Sequence, residues 1–214
     1  MYPTLEFAAI SLSLIFFIVD PLGTAPIFLA ITEGQTAKER NRTALRASVV
    51  TFLILMVFAF VGEWILKLLR VTISSFQIAG GILIFTIALS MLQARRSRAK
   101  STPQEEHEKP EGEDVAIFPL AIPMLSGPAA ITTVMVLINL STSPLQRMLV
   151  ILAITLTGLF CYLILRASGR LLNLLGRTGI NVLTRLMGLL LAVISVQFVI
   201  DGIKAAFLGI PSGN

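Results

Sequence analysis

Apolar residues are grouped along the chain into six long runs, separated by short polar or charged stretches. The runs cover approximately residues 7–31, 44–66, 73–92, 115–138, 147–165 and 184–203. A helix needs about 20 consecutive apolar residues to cross the hydrocarbon core of a membrane. The pattern therefore predicts an all-α membrane protein with six transmembrane helices and no separate soluble domain.

The composition agrees with a membrane protein. Of the 214 residues, 55% are hydrophobic and only 14% are charged, whereas soluble domains average about 25% charged residues. The first segment lacks the basic region of a signal peptide, so we expect it to be retained as the first helix. The single cysteine, Cys161, lies in an apolar run, which favours a role in helix packing over redox chemistry.

The distribution of basic residues predicts the orientation in the membrane. If the N-terminus lies outside, the inner segments carry Lys38, Arg40, Arg42, Arg46, Arg95, Arg96, Arg98, Lys100, Lys109, Arg166, Arg170, Arg177 and Arg185. The outer segments carry only Lys67, Arg70, Arg147 and Lys204. The excess of Lys and Arg marks the cytoplasmic side. We therefore expect both termini in the periplasm of a bacterial cytoplasmic (inner) membrane, with the lipid bilayer and not a nucleic acid as the partner of this basic chain.

The two halves of the chain resemble each other. The first half contains "PLGTAP", "ILKLLRVT" and "QIAGGILIF", and the second contains "PMLSGP", "LLNLLGRT" and "RLMGLLLAV" in the same order and at similar offsets. Each half holds three helices, so the second copy begins on the opposite side of the membrane. The sequence predicts a 3+3 inverted repeat, with repeat 1 over residues 1–92, a polar cytoplasmic linker over 93–114 and repeat 2 over 115–214. Such repeats are common among secondary transporters.

Helices 1 and 4 each carry two prolines five residues apart. The prolines expected to break these helices are Pro21, Pro26, Pro123 and Pro128. Proline lacks an N–H group and clashes with the carbonyl four residues earlier. Broken backbone at membrane depth is tolerated only where it is buried in protein or lines a cavity. We therefore predict non-helical segments at 20–25 and 122–127, close together near the middle of the membrane.

These breaks are the predicted binding site for a small zwitterionic solute. Helix N-termini favour an anion, and carbonyl groups released by proline favour a cation. The candidate substrate-binding residues are Asp20, Gly23, Thr24, Ala25, Leu125, Ser126 and Gly127. Thr24 or Ser126 is expected to cap the second half-helix, with Pro26 or Pro128 in its first turn. The two glycines either keep the site free of side chains or serve packing.

Asp20 is the charged residue nearest the centre of the first run. A charge at that depth is costly and by default indicates a function. Asp20 is a candidate for holding an ammonium group, for carrying a coupling proton, or for capping the break. The second repeat has Ile122 at the matching position, so any role of the charge is asymmetric.

Four segments together resemble the MarC/SnatA family, also called the NAAT family, of six-helix membrane proteins. They are "DPLGTAPIF", "SFQIAGGILIF", "FPLAIPMLSGPAAI" and "TGINVLTRLMGLLL". The resemblance implies a proton-driven transporter of small neutral amino acids such as glycine and alanine. Family members often have Asn-Pro where this chain has Asp20-Pro21, and many carry arginine where it has Gln77. Arg185 fits the family pattern.

Three alternatives stay open at this point: a transporter of another small solute, a channel, and a membrane protein without transport activity. An intramembrane enzyme would need paired aspartates, a Ser–His pair or a metal cluster. The sole histidine, His107, lies in the linker and is interpreted as solvated, and no HExxH or Walker sequence occurs. We therefore expect no enzymatic activity, no cofactor and no metal. The sequence makes no prediction of the oligomeric state.

Overall fold

The chain folds as a bundle of helices, and a computed structural model describes residues 4–93 and 115–208. The helices are α1 (Thr4–Val19), α2 (Pro21–Ile31), α3 (Ala37–Leu68), α4 (Ile73–Leu92), α5 (Ala116–Leu125), α6 (Pro128–Leu140), α7 (Pro144–Gly176) and α8 (Thr178–Phe207). Most of the predicted linker, including His107, lies outside the described residues.

Five stretches are long and apolar enough to cross a membrane: α1 with α2, then α3, α4, α7 and α8. The bent pair α5 and α6 makes a sixth span if it is taken as one. The expectation of an all-helical, multi-pass membrane protein is therefore confirmed, with five or six spans among the described residues. The inverted relation between the two halves stays a prediction.

Local sequence explains where α3 and α4 begin. Thr36 and Glu39 form a reciprocal capping box at the start of α3: the Thr36 N–H donates to Glu39 Oε2 (2.8 Å) and the Glu39 N–H donates to Thr36 Oγ1 (3.3 Å). Thr72 caps α4 by accepting from the Ser75 N–H (3.2 Å). The short connection 32–36 joins α2 to α3.

The break between α7 and α8 is formed by one residue, Gly176, whose φ is 65° and ψ is 175°. Only glycine adopts such a backbone conformation without steric cost. The apolar runs stop at residue 165 and resume at 184, whereas the helix continues to Gly176 and restarts at Thr178. Polar and basic residues end the hydrophobic run but are compatible with helix, so hydropathy places the helix ends too early.

Helices α4 and α8 pack closely and in antiparallel fashion. A Cβ atom added to Gly202 would lie 2.7 Å from Ile78 Cγ1, one added to Gly81 would lie 2.8 Å from the Ser195 carbonyl oxygen, and one added to Gly188 would lie 2.8 Å from Met91 Cβ. The residue number of the contact on α8 falls as that of the contact on α4 rises, so the two helices are antiparallel. The glycines thus allow the two backbones to approach along most of their length.

The outward faces of the bundle are apolar. Large side chains such as Leu53, Phe60, Leu186 and Val193 are more than half exposed. A soluble protein rarely exposes a continuous surface of this kind, but the acyl chains of a bilayer cover it without cost. The position of these residues therefore agrees with an integral membrane protein.

Candidate functional site

The first interruption, between α1 and α2, consists of one residue. Asp20 has φ 52° and ψ 59°, in the left-handed region. Its N–H still donates to the Phe16 carbonyl (3.0 Å) and completes the last turn of α1. The residue before a proline disfavours the right-handed helical region, and aspartate tolerates the left-handed one better than most residues. Pro21 then begins α2, where its missing N–H costs least.

Asp20 also caps α2. Its Oδ1 accepts from the Gly23 N–H (2.9 Å), and its carbonyl oxygen accepts from both the N–H (3.1 Å) and the hydroxyl (2.8 Å) of Thr24. A Cβ atom at Gly23 would lie 2.8 Å from the same carboxylate oxygen. Gly23 is therefore required for the cap, which supports the packing alternative for this glycine. The positive end of α2 already faces a carboxylate from its own chain.

Three expectations about this interruption are wrong. Thr24 does not cap α2, because Asp20 does, and residues 21–25 are helical. Pro26 lies inside α2 and not in its first turn. The physical reason is that one left-handed residue both ends the first helix and orients the chain for the next. No longer break is needed once Asp20 adopts that conformation.

The second interruption is longer and more irregular. Phe118 and Ile122 have extended backbone conformations (φ −123° for both, ψ 132° and 122°), and each precedes a proline. Ser126 and Gly127 separate α5 from α6 and are also non-helical. The two helices are bent by 56°. Residues 123–125 lie within α5, so the non-helical positions in the predicted segment are Ile122, Ser126 and Gly127.

Ser126 terminates α5 and does not cap α6, contrary to expectation. Its N–H (2.9 Å) and its hydroxyl (2.8 Å) both donate to the Ala121 carbonyl. The N-cap of α6 is Gly127, which has no side chain to accept a hydrogen bond. A Cβ atom there would lie 2.6 Å from the Pro123 carbonyl oxygen. Pro128 occupies the first turn of α6, as expected.

Pro119 is a further helix-breaking proline, beyond the four that were predicted from the sequence. Phe118, which precedes it, is as extended as Ile122. The signal was present in the sequence, because any residue before a proline is biased towards extended conformations. The irregular part of this span therefore begins one turn earlier than the motif "PMLSGP".

The candidate residues are enclosed by protein, as broken backbone in a membrane requires. Only Gly23 is partly exposed, and the buried ones are Asp20, Thr24, Ala25, Leu125, Ser126 and Gly127. Helix α2 contacts α5, and α1 contacts α6. The two interrupted spans are thus neighbours in the bundle, while the binding role of these residues stays a prediction.

The N-termini of α2 and α6 differ in the side chain that faces them. That of α2 faces the carboxylate of Asp20, and that of α6 has no side-chain cap. An anion would therefore be favoured at α6, and a cation at the Asp20 carboxylate. Within the described ranges, no group of three His, Cys, Asp or Glu residues could hold a metal ion.

Comparisons with known proteins agree with one another. A family model described as "MarC family integral membrane protein" matches residues 5–207. A UPF0056 membrane protein of Methanocaldococcus jannaschii is 39% identical over 95% of this chain and 99% of its own length. The UPF0056 membrane protein YhcE of Escherichia coli is 39% identical (92% of this chain, 91% of its own), and YvbG of Bacillus subtilis is 39% identical (90% and 92%). No solved structure matches the chain significantly.

Proposed function

The chain belongs to the MarC family of integral membrane proteins, and from this premise we propose that it transports a small neutral amino acid, such as glycine or alanine, across the bacterial cytoplasmic membrane. The observation that carries the proposal is the pair of neighbouring interrupted spans, one with a carboxylate at its break and one with an uncapped helix N-terminus. A zwitterion needs one group that binds its carboxylate and one group that binds its ammonium.

The substrate carboxylate binds at the start of α6. There the N–H groups of the first turn meet no capping side chain, because the N-cap is Gly127. Helix N-termini stabilise negative charge through these N–H groups and through the helix dipole. Ser126 and Leu125 precede this turn, and both are buried.

The substrate ammonium binds at the first interruption, near Asp20 and the oxygen of the Thr24 hydroxyl. The Thr24 proton is donated to the Asp20 carbonyl, so the hydroxyl oxygen remains an acceptor. Ala25 follows with a small side chain, which is buried. Ala25 and Gly127 contribute little side-chain volume at the proposed site, which suits a small substrate.

Asp20 carries the coupling proton in this proposal. A carboxyl group that exchanges a proton at membrane depth is a recurrent part of proton-driven transporters. Asp20→Asn retains a side-chain oxygen for the cap but cannot titrate. We expect this variant to keep amino-acid exchange and to lose accumulation driven by a proton gradient. Unchanged proton-driven accumulation would remove Asp20 from this role and leave it as a cap only.

The proposed architecture is a 3+3 inverted repeat with both termini in the periplasm and the linker in the cytoplasm, and the protein has no enzymatic activity. The antiparallel contact of α4 with α8, the third span of each half, supports this arrangement. Reporter fusions after Arg98 and at the C-terminus should give opposite signals, because three spans separate them. Equal signals at the two positions would contradict the inverted repeat.

Counterflow in proteoliposomes tests the transport function. Vesicles loaded with unlabelled glycine or alanine should accumulate the labelled amino acid, with saturation, and larger or charged amino acids should compete poorly. Flux that does not saturate would instead indicate a channel, and no flux with any amino acid would contradict the proposal.

A double variant tests the site. Losing a hydrogen bond to a charged group costs about 1.5–3 kcal/mol, or roughly ten- to a hundredfold in affinity. In the double variant Thr24→Val with Ser126→Ala, loss of the Thr24 oxygen that accepts from the substrate ammonium should therefore weaken substrate binding by about that factor. Thr132→Val is a matched control, since the Thr132 hydroxyl donates to the Pro128 carbonyl (2.8 Å) and the residue is half-buried outside the candidate site. Wild-type affinity in the double variant would exclude these two side chains from the site.

A further inference from the structure

A chain of polar side chains joins α3 to α7. The Tyr162 hydroxyl donates to Asn41 Oδ1 (3.2 Å) and accepts from Arg166 Nη1 (3.2 Å). The guanidinium carbon of Arg166 also lies 5.9 Å from the centre of the Tyr162 ring, within the range of a cation–π contact. Asn41 belongs to α3 and the other two residues belong to α7. The tyrosine therefore holds an exposed arginine beside the contact between the two helices.

The groups of this donor cluster (Asn41, Tyr162 and Arg166) that stay available are mainly N–H donors. A guanidinium has five N–H donors, of which Tyr162 receives one, and the Asn41 oxygen is occupied, which leaves its NH₂ group. In the part of the chain that the structure describes, no carboxylate pairs with Arg166 and no acceptor bonds to the Asn41 NH₂ group. Glu39, the acid nearest to Asn41 along the sequence, accepts instead from the N–H and the hydroxyl of Thr36. The donor cluster therefore suits an anion.

The donor cluster lies where two spans leave the hydrocarbon. Asn41 precedes the apolar run 44–66 by three residues, and Arg166 directly follows the run 147–165. The polar headgroups of lipids flank the hydrocarbon core at this height. An arginine at the end of a span places its charged group in that zone while its stem stays on the apolar surface. A lipid phosphate is therefore an anion present at the right depth.

Helices α3 and α7 lead side by side from the donor cluster into the membrane. Tyr162 bonds to Asn41, whereas Gly158 faces the later residue Phe52, whose Cβ atom lies 3.3 Å from a Cβ added to that glycine. The residue number of the contact on α3 thus rises as that on α7 falls, and the helices are antiparallel. Both helices enter the apolar zone from the same end.

Exposed apolar side chains continue from the donor cluster along this contact. Leu45, one turn after Asn41, is 48% exposed, and Leu159, one turn before Tyr162, is 51% exposed. Residues three or four apart lie on the same face of a helix. These two leucines form an apolar strip directly below the donors, and such a strip suits an acyl chain. Donors for an anion and a surface for a hydrocarbon chain are therefore adjacent.

We propose that the donor cluster binds the phosphate of an anionic phospholipid, and that an acyl chain of this lipid lies along the apolar strip. The planar fork of Arg166 matches two phosphate oxygens, the Asn41 NH₂ group donates to a third acceptor, and Tyr162 fixes both side chains. The exposed residues Lys38 and Arg170, one turn away from Asn41 and Arg166, add positive potential. Basic pockets between transmembrane helices bind anionic headgroups in this way.

This lipid site is independent of the proposed transport function. None of its residues belongs to the candidate substrate site, and no transport step is needed to detect the lipid. Its test can therefore measure lipid binding alone.

A lipid titration of the full chain in a neutral detergent tests the proposal. Phosphatidylglycerol or phosphatidylcholine is added at matched concentrations, and the apparent melting temperature is followed to obtain an apparent affinity. Phosphatidylglycerol should stabilise the protein at a lower concentration than phosphatidylcholine. Arg166→Gln should weaken the apparent affinity for phosphatidylglycerol about fivefold, and Tyr162→Phe, which keeps the charge but releases it, should weaken it by a smaller factor. Equal affinity of the wild type for the two lipids would overturn the proposal.

Arg170→Gln provides the matched control. It removes the same charge from an exposed arginine of α7 one turn further along, outside the donor cluster. Its effect on the affinity for phosphatidylglycerol should be clearly smaller than that of Arg166→Gln. Equal losses for the two variants would overturn the proposal, because they would indicate a diffuse attraction of charge. Each variant is compared with its own melting temperature in phosphatidylcholine, so a change in basal stability does not affect the result.

A last arm separates a lipid from a free anion. Inorganic phosphate, added in the presence of phosphatidylcholine at constant ionic strength, should not reproduce the stabilisation by phosphatidylglycerol, because it lacks the acyl chain that contacts the apolar strip. Stabilisation of the same size by inorganic phosphate, lost in Arg166→Gln, would overturn the assignment to a lipid.

Discussion

The interruption after α1 and the one before α6 contain prolines with the same spacing, yet the chain passes through them differently. In the first, Asp20 alone leaves the helical region, and Thr4–Ile31 remains one span of 28 residues. In the second, the helices are bent by 56° and both Ser126 and Gly127 are non-helical. The prolines therefore determine where a span is interrupted but not the geometry of the interruption.

The residue before the first proline of each matching pair, Pro21 or Pro123, accounts for much of the difference. Asp20 accepts a left-handed conformation and supplies a carboxylate for the next helix. The corresponding Ile122 is β-branched and remains extended, because positive φ is strongly unfavourable for such a side chain. Ile122 is 44% exposed, whereas Asp20 is 6% exposed. Asp20 therefore allows a narrow, capped break, whereas Ile122 together with the additional Pro119 accompanies a wide, bent one.

Exchanging that residue should give the largest effect. Asp20→Ile places isoleucine, the residue found at the matching position 122, at the first interruption. Loss of the cap costs about 0.5–2 kcal/mol, and an ordinary L-residue in the left-handed region costs roughly 1–2 kcal/mol more. We expect a clear loss of stability in unfolding titrations in mixed detergent micelles. Asp20→Asn, which retains both cap and conformation, should lose much less; equal losses for the two variants would show that neither the cap nor the left-handed conformation decides the geometry of the break.

Adding a methyl group at each glycine of the two breaks should have an intermediate effect. Gly127→Ala places a Cβ atom against the Pro123 backbone carbonyl, which cannot move without shifting α5. Overpacking of this kind costs typically about 1–3 kcal/mol. For Gly23→Ala, the three atoms nearest to the added Cβ all belong to the Asp20 side chain, which can rotate away at the expense of the cap. Thermal unfolding should therefore rank Gly127→Ala as the more damaging change, and the reverse order would contradict the described contacts.

Removing one hydroxyl group from each break should give the smallest effect, and a similar one on both sides. Ser126→Ala leaves the Ala121 carbonyl with the Ser126 N–H, and Thr24→Val leaves the Asp20 carbonyl with the Thr24 N–H. A neutral hydrogen bond contributes about 0.5–1.5 kcal/mol. Stability losses within this range would show that the double variant used for substrate binding is folded. A much larger loss for one of them would indicate that its hydroxyl group has another structural role.

The spans themselves could be predicted from hydropathy, because the length of an apolar run reflects the thickness of the membrane. The ends of the helices could not. The run that ends at residue 165 continues as helix to Gly176, since Arg166 and Arg170 are good helix formers outside the hydrocarbon core. The hydropathy pattern shows where a span leaves the lipid. The helix itself ends only where the backbone conformation changes, which can be several residues later.

The location of the breaks was visible in the prolines, but the choice of cap was not. Asp20, Thr24 and Ser126 are all residues that favour N-cap positions. Asp20 caps α2 because it is also the residue displaced from the right-handed region by Pro21. Ser126 bonds backwards to Ala121 because Pro128, two residues later, begins α6 and places Gly127 at the cap. Such competition between equivalent residues depends on backbone geometry, which a pattern of residue types does not contain.

The glycine contacts between α4 and α8 constrain how the two halves of the chain can diverge in evolution. A larger residue at Gly202 would meet the Ile78 side chain at 2.7 Å and the Ser74 carbonyl oxygen at 3.0 Å, so a smaller residue at position 78 can relieve only the first of these contacts. A larger residue at Gly81 would meet the backbone carbonyl of Ser195, which no substitution in the other half can remove. A change at position 202 can therefore be offset in part by a smaller partner side chain, whereas position 81 is held as glycine by the closer approach of the opposite backbone.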